Sequence, residues 1–328
     1  MNERPKIGVA WGSGAARGWA HAGVLRALEA LEIDVDVEAG CSAGALISGA
    51  RHLGILDEFL EWARQLDALG ALGQFAFSIG AGGFVNPDRV FDAFRYADKN
   101  IQDLEKPWGA VATDLSTGRE VWLTGGSVLD AARASSAIPL LIQAASIQHD
   151  GAERWMIDGA AANPVPVSLA RALGADRIIA VDLNATAITL SRFDRPTTRE
   201  VVPVASPPAV KEDGFLPEAV AALIRDTRGY LQREISLAKA RAMAKPQLFE
   251  TAAATMDIVQ AHLAAARAKI DVADVRLTPR LDDISPAAFD RHEEIEERGY
   301  EAAMEAKEQL LLLARPATTP ANTKEEPS

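Results

Sequence analysis

A single cysteine, Cys41, stands among 328 residues. An intramolecular disulfide is therefore impossible, as is a cysteine-rich zinc site. Long apolar runs are missing too. The longest candidate, 128–147, contains Asp130 and Arg133, so no bilayer-spanning helix is expected. The start, MNERPKIGVAWGSG, has no apolar stretch between a basic end and a small-residue cleavage site, and no signal peptide is read there. A cytoplasmic location is the expectation, with peripheral membrane contact left open. Basic residues are in deficit: 34 Lys and Arg against 46 Asp and Glu give a net charge of −12. Such a surface repels phosphate backbones and argues against a nucleic-acid partner. There are only five histidines, His21, His52, His149, His262 and His292. None follows a late strand as an ordinary Ser-His-Asp triad requires. Their spacing suggests no metal cluster and no acidic loop has EF-hand spacing, so neither metal nor other cofactor is expected.

What is present suits a large core. Hydrophobic residues make up 48% and charged residues 24%, which excludes a globally disordered chain. KIGVAW, residues 6–11, reads as a short buried strand. A small-residue loop, 12–18, and a helix over 19–32 follow, which is an α/β opening. Residues 35–39 read as a second strand running into Gly40-Cys41-Ser42-Ala43-Gly44, where another helix begins. Helices are expected over 56–69, 87–97, 129–137 and 166–173. Strands are expected over 108–114 and 120–123, a hairpin around Ser116-Thr117-Gly118, and over 154–157 and 177–183. A polar, proline-rich stretch over 185–216 has the length of a lid, binding loop or linker. Helices over 217–242 and 248–269, a strand over 274–277 and a charged helix over 286–313 complete the chain, with 315–328 a disordered tail. The domain reading is one unit over 1–310, with a core over 5–184, a mobile loop over 185–216 and a helical part over 217–310.

Gly40-x-Ser42-x-Gly44 lies between an apolar strand and an apolar helix. A serine on such a turn needs small neighbours if its hydroxyl is to stand clear, and the helix start behind it favours a developing anion. Ser42 is then either a nucleophile or a helix cap. Cys41 beside it is better read as packing. Asp158 ends a strand in Asp158-Gly159-Ala160. It is either a general base or a turn aspartate bonded to its own backbone. Gly12-x-Gly14 followed by Arg17-Gly18 can be a phosphate cradle, with Asp34 or Asp36 as the distant acid, or an oxyanion hole. Its spacing is GxGxxxG rather than GxGxxG, and no Gly-Lys-Ser/Thr follows. His21, just after this loop, is read as structural.

Three motifs together, WGSGAARGWAHAGVLRALE, EAGCSAGALISG and WMIDGAAANPVPVSLARALGAD, resemble the patatin-like phospholipases. They are most similar to the bacterial branch related to the catalytic domain of neuropathy target esterase. GAVATDLSTGREVWLTGG, DAARASSAIPLL and DVADVRLTPRLDDISPAAFD extend the resemblance over roughly 5–310.

The resemblance implies a three-layer α/β/α sandwich with a mainly parallel central sheet. It implies a Ser-Asp dyad without histidine, with Ser42 the nucleophile and Asp158 the base. The oxyanion hole falls on the N–H groups of Gly14, Ala15 and Ala16. Gly12, Gly18, Gly40, Gly44 and Gly159 support the turns, and Arg17 either neutralises a phosphate or holds its loop. The implied reaction is hydrolysis of phospholipid or lysophospholipid acyl esters through an acyl-enzyme. A general carboxylesterase or thioesterase, or a weakly active regulatory protein of this fold, is the alternative. A lipid or other acyl ester is the expected partner, and a homo-oligomer is compatible with the sequence. Two departures stand out: Ser13 and Ala15 interrupt the glycine run, and Ala15 impairs the loop if that position needs positive φ. Phe75, Phe77, Ile79 and Phe84 are candidates for an acyl entrance or for plain core anchors.

Overall fold

A computed structural model describes residues 4–64, 95–139, 142–149, 151–185 and 248–315. The expected helices over 217–242 and most of 87–97, the four residues of the acyl entrance, nearly all of the 185–216 stretch and the tail lie outside the described residues. Residues 95–97 form a single 3-10 turn.

Strands are β1 (Ile7–Trp11), β2 (Val37–Cys41), β3 (Trp108–Asp114), β4 (Glu120–Leu123), β5 (Ala145–His149), β6 (Ala152–Asp158), β7 (Arg177–Val181) and β8 (Val275–Leu277). Helices are α1 (Trp19–Ala30), α2 (Ala43–Leu53), α3 (Leu56–Arg64), α4 (Val128–Ser135), α5 (Val167–Ala172), α6 (Leu248–Arg267), α7 (His292–Glu305) and α8 (Lys307–Leu313). The expected single helix over 286–313 is thus two helices, preceded by a 3-10 turn at Phe289–Arg291.

The sheet runs β5-β6-β3-β2-β1-β7-β8, with β4 also paired to β3. From β3 to β8 all neighbours are parallel, whereas β4, β5 and β6 pair antiparallel. The sheet keeps the mainly parallel arrangement that the resemblance implies and turns antiparallel at β4, β5 and β6, where the hairpin and the β5–β6 pair need only short turns.

Parallel strands covered on both faces read as continuous apolar runs, and β1 and β7 do so. Ile7, Val9 and Trp11 turn to one face, where they pack with residues of α1, α2, α3, α4, α7 and α8. Ala10 turns to the other, against Val167, Leu169 and Ala170 of α5 and Ala264 of α6. This is a three-layer sandwich. Glu38 is a charged residue buried in β2. Burial would push its carboxyl up, but His52, Arg51 and the Trp11 indole hold it below the usual range. Residues 195–256 form a second contact unit, of which 248–256, the first part of α6, are described.

Candidate active site

Strand register brings Ser42 and Asp158 together. β4 pairs with β3 along 110–113, so it fills one edge of β3 there. β2 and β6 both overlap that stretch and must use the other edge. β2 runs parallel to β3 and ends where Cys41 faces Val111. β6 runs antiparallel and ends where Asp158 faces Ala112. The two strands meet end to end along one edge of β3, with Asp158 the last residue of β6 and Ser42 the first residue after β2.

Ser42 sits at φ 53, ψ −119 between β2 and α2. A non-glycine residue held in this region stores backbone strain and persists only if its surroundings enforce it. The flanking glycines do so by close approach. A Cβ on Gly40 would lie 2.4 Å from Ala45 Cα, and one on Gly44 would lie 2.2 Å from the Trp11 carbonyl oxygen. The Ser42 N–H donates to Ser135 Oγ at 2.9 Å, and Ser135 Oγ donates to the Val111 carbonyl at 2.6 Å. This second serine, on α4, ties the elbow to β3. Sequence reasoning missed it, since DAARASSAIPLL carries no local sign of which serine turns inward.

Ser42 does not cap α2 with its side chain. Its hydroxyl donates to Asp158 Oδ2 at 2.6 Å instead. Both readings of Asp158 describe part of its geometry. Oδ1 accepts the Ala160 N–H at 2.8 Å, as a turn aspartate does, while Oδ2 faces Ser42. Thr113 Oγ1 donates to the Asp158 carbonyl at 2.9 Å and the Asp158 N–H donates to Ala137. Both residues are almost wholly buried. Burial pushes the Asp158 carboxyl up to about 6, against the Ser42 hydroxyl and Ala160 N–H that pull it down. A carboxylate tuned toward neutrality is a better base than a free one.

The neighbouring Cys41 is buried, and burial, then the Asp158 and Glu120 charges, raise its thiol well above the ordinary value. Its sulfur fills space 3.1 Å from where a Gly159 Cβ would be, which fits packing. His21 reaches the Gly12 carbonyl through Nε2 at 2.7 Å, and burial lowers it to about 4 despite that bond. It therefore stays neutral and holds the loop, as its reading from sequence had it.

The small-residue loop packs on the elbow: a Cβ on Gly18 would lie 2.7 Å from Ala43 Cβ. Ala15 adopts φ 49, so the position does require the left-handed region and alanine occupies it nonetheless. The Ala16 N–H donates to the Pro286 carbonyl at 3.0 Å and is not available to a ligand in this arrangement. The N–H groups of Gly14 and Ala15 have no acceptor among the described residues. Arg17 is 4% exposed, and its guanidinium donates to Ile284 O, Asn184 Oδ1 and Asp257 Oδ2. Of its two roles it serves the loop-holding one here.

Residues 9–171 match the family described as Patatin-like phospholipase. The chain belongs to the patatin-like phospholipase family. It is 38% identical over 194 residues to an uncharacterized NTE family protein of Mycobacterium tuberculosis, which covers 58% of this chain and 53% of that one. A second NTE family protein of that organism is 31% identical over 230 residues, 67% of this chain and 37% of the other. Patatin-like phospholipase domain-containing protein 6 of Mus musculus is 31% identical over 190 residues, 54% of this chain and 13% of its own length. The patatin-like chain thus spans about half the length of the first of these relatives, or less for the others. Among solved structures, VipD from Legionella pneumophila aligns over 93% of this chain and 67% of its own, with a TM-score of 0.45 and 10% identity, a likeness too distant to carry functional weight. Among the described residues no helix is long and apolar enough to cross a membrane.

Proposed function

We propose that this patatin-like protein is a serine acyl-ester hydrolase acting on phospholipids or lysophospholipids through a Ser42–Asp158 dyad. The observation that carries the reading is the 2.6 Å hydrogen bond from a strained elbow serine to a buried carboxylate. In the acylation step Ser42 Oγ attacks the ester carbonyl carbon as its proton passes to Asp158 Oδ2. The carbonyl π pair moves onto oxygen, and the Gly14 and Ala15 N–H groups stabilise that charge. The intermediate collapses, the C–O bond to the alcohol breaks, and Asp158 returns the proton to the leaving oxygen. Water then attacks the acyl-serine with the same carboxylate as base, and Ser42 is regenerated with a free fatty acid. A peripheral position at a lipid surface is consistent with such a substrate.

A ladder of p-nitrophenyl esters, from acetate to palmitate, tests this with wild type, Ser42→Ala and Asp158→Asn. The expected result is wild-type turnover that favours medium or long chains and falls at least 1,000-fold in both variants, in line with what losing a nucleophile or its base costs elsewhere. A preference for acetate would move the assignment toward a general carboxylesterase. Turnover that survives Ser42→Ala would overturn the dyad.

A further inference from the structure

The two ends of the small-residue loop are joined through one side chain that no sequence motif singles out. Asn184 follows β7 and is 1% exposed. Its Nδ2 donates to the Ser13 carbonyl at 3.1 Å and to Ser13 Oγ at 3.2 Å. Its Oδ1 accepts from Arg17 Nη1 at 3.1 Å. The amide orientation is fixed by chemistry: a carbonyl only accepts and a guanidinium only donates, so a flipped amide would face each with the wrong group. The Asn184 N–H in turn donates to Asp182 Oδ1 at 3.0 Å, and Asp182 pairs with Arg276 of β8. The clamp is therefore anchored in the sheet.

The clamp has a consequence for the free donors. In a trans peptide the C=O and N–H point in opposite directions. Asn184 holds the Ser13 carbonyl, so the Gly14 N–H at the other end of the same plane is turned away from the clamp. The next plane is held alike: the Arg17 N–H donates to the Gly14 carbonyl at 3.0 Å, which turns the Ala15 N–H outward. Arg17 is itself held by Asn184. Among the described residues, then, the Gly14 N–H owes its direction to the Asn184 amide, and the Ala15 N–H owes its own to the Arg17 backbone, whose side chain the same amide helps to hold.

We infer that Asn184 is a positioning residue for the oxyanion hole, acting on the transition state and not on ester binding. The inference rests on the hydrolase reading above. Asn184→Asp is the informative variant. It keeps size and the acceptor for Arg17, but replaces the donor to Ser13 with an oxygen. On the p-nitrophenyl ester best used by wild type, with active sites counted by a fluorophosphonate titration, kcat per active site should fall 10- to 100-fold while KM stays within about threefold. That is somewhat less than losing an oxyanion donor outright costs elsewhere. A residue that merely stabilises the fold would lower the melting temperature and the number of active sites and leave kcat per site unchanged, which would overturn the inference. Asn184→Ser, which shortens the clamp, serves where Asn184→Asp does not accumulate as folded protein.

Amide hydrogen exchange over 12–18 reads the same device without substrate. Exchange should quicken there in the variant while β1 and β7 keep wild-type protection, and unchanged exchange over 12–18 would overturn the clamp. Failures are separable. Loss of activity in Ser42→Ala with full kcat per site in Asn184→Asp overturns the role of Asn184 alone. Activity missing from wild type, or kept in Ser42→Ala, overturns the hydrolase reading and with it the catalytic meaning of the clamp.

Discussion

Ser42 and Asp158 are 116 positions apart in the chain, yet their side chains are 2.6 Å apart. Asp158 ends β6 and Ser42 directly follows β2, and these two strands approach each other along one edge of β3, so their register sets the meeting. With a carboxylate bonded directly to the hydroxyl, the proposed chemistry needs no intermediary imidazole.

The elevated Asp158 carboxyl sets an acid limb. The base must be ionised, so kcat/KM should drop about tenfold per pH unit below about 6. A pH–rate profile measured with a soluble ester checks this. A limb near 4 would mean that Asp158 is not desolvated in the working enzyme.

The same elevation predicts a stability effect with a definite sign. The folded protein binds the Asp158 proton more tightly than the unfolded chain does, so this contribution is lost as pH rises from the ordinary carboxylate value toward about 6. Asp158→Asn, which carries no charge, should therefore gain on wild type by ~1–3 kcal/mol more at pH 8 than at pH 4. His21 titrates in the opposite sense but is common to both proteins and cancels. Urea unfolding at the two pH values gives the difference.

Ala15 at φ 49 carries strain that glycine would not. The left-handed region costs an alanine roughly 1–2 kcal/mol, part of which glycine gives back through its freer unfolded chain. Ala15→Gly should stabilise by ~0.5–1 kcal/mol, read as a rise in denaturation midpoint with unchanged slope.

Gly44→Ala probes the elbow from the other side. The added methyl would meet the Trp11 carbonyl oxygen at 2.2 Å, a contact backbone cannot accommodate without moving. Destabilisation of ~1–3 kcal/mol or more and near-complete loss of ester hydrolysis are expected.

Cys41 supplies the contrast. Its thiol is buried and kept protonated, so Cys41→Ala should retain turnover within a few-fold and cost ~1 kcal/mol of stability. Iodoacetamide should leave the native protein active.

Much of this site was legible because its signals are local. Gly40 and Gly44 announce a close-packed turn, and apolar runs on either side say strand and helix. The hairpin at Gly118, where φ is 67, was legible for the same reason. What escaped depends on tertiary pairing. Nothing near Ser135 tells that its hydroxyl bridges Ser42 and Val111, and Asn184 acquires its role only when β7 lies beside the loop that follows β1. The loss of Ala16 as an oxyanion donor has a like cause. Its N–H is taken by Pro286, 270 positions on, a contact that no local pattern encodes. A strand was expected within β6, but its antiparallel direction was not, and β5 was not expected at all, because short apolar runs do not declare their direction.

The central claim is that Asp158 activates Ser42 directly. Fluorophosphonate labelling followed by peptide mass spectrometry tests it most directly, since the probe needs an activated nucleophile but no particular lipid. The account predicts one phosphonyl group per chain, on Ser42, with the labelling rate falling at least 100-fold in Asp158→Asn while the protein stays folded. A label on another residue, or Asp158→Asn reacting as fast as wild type, would contradict it.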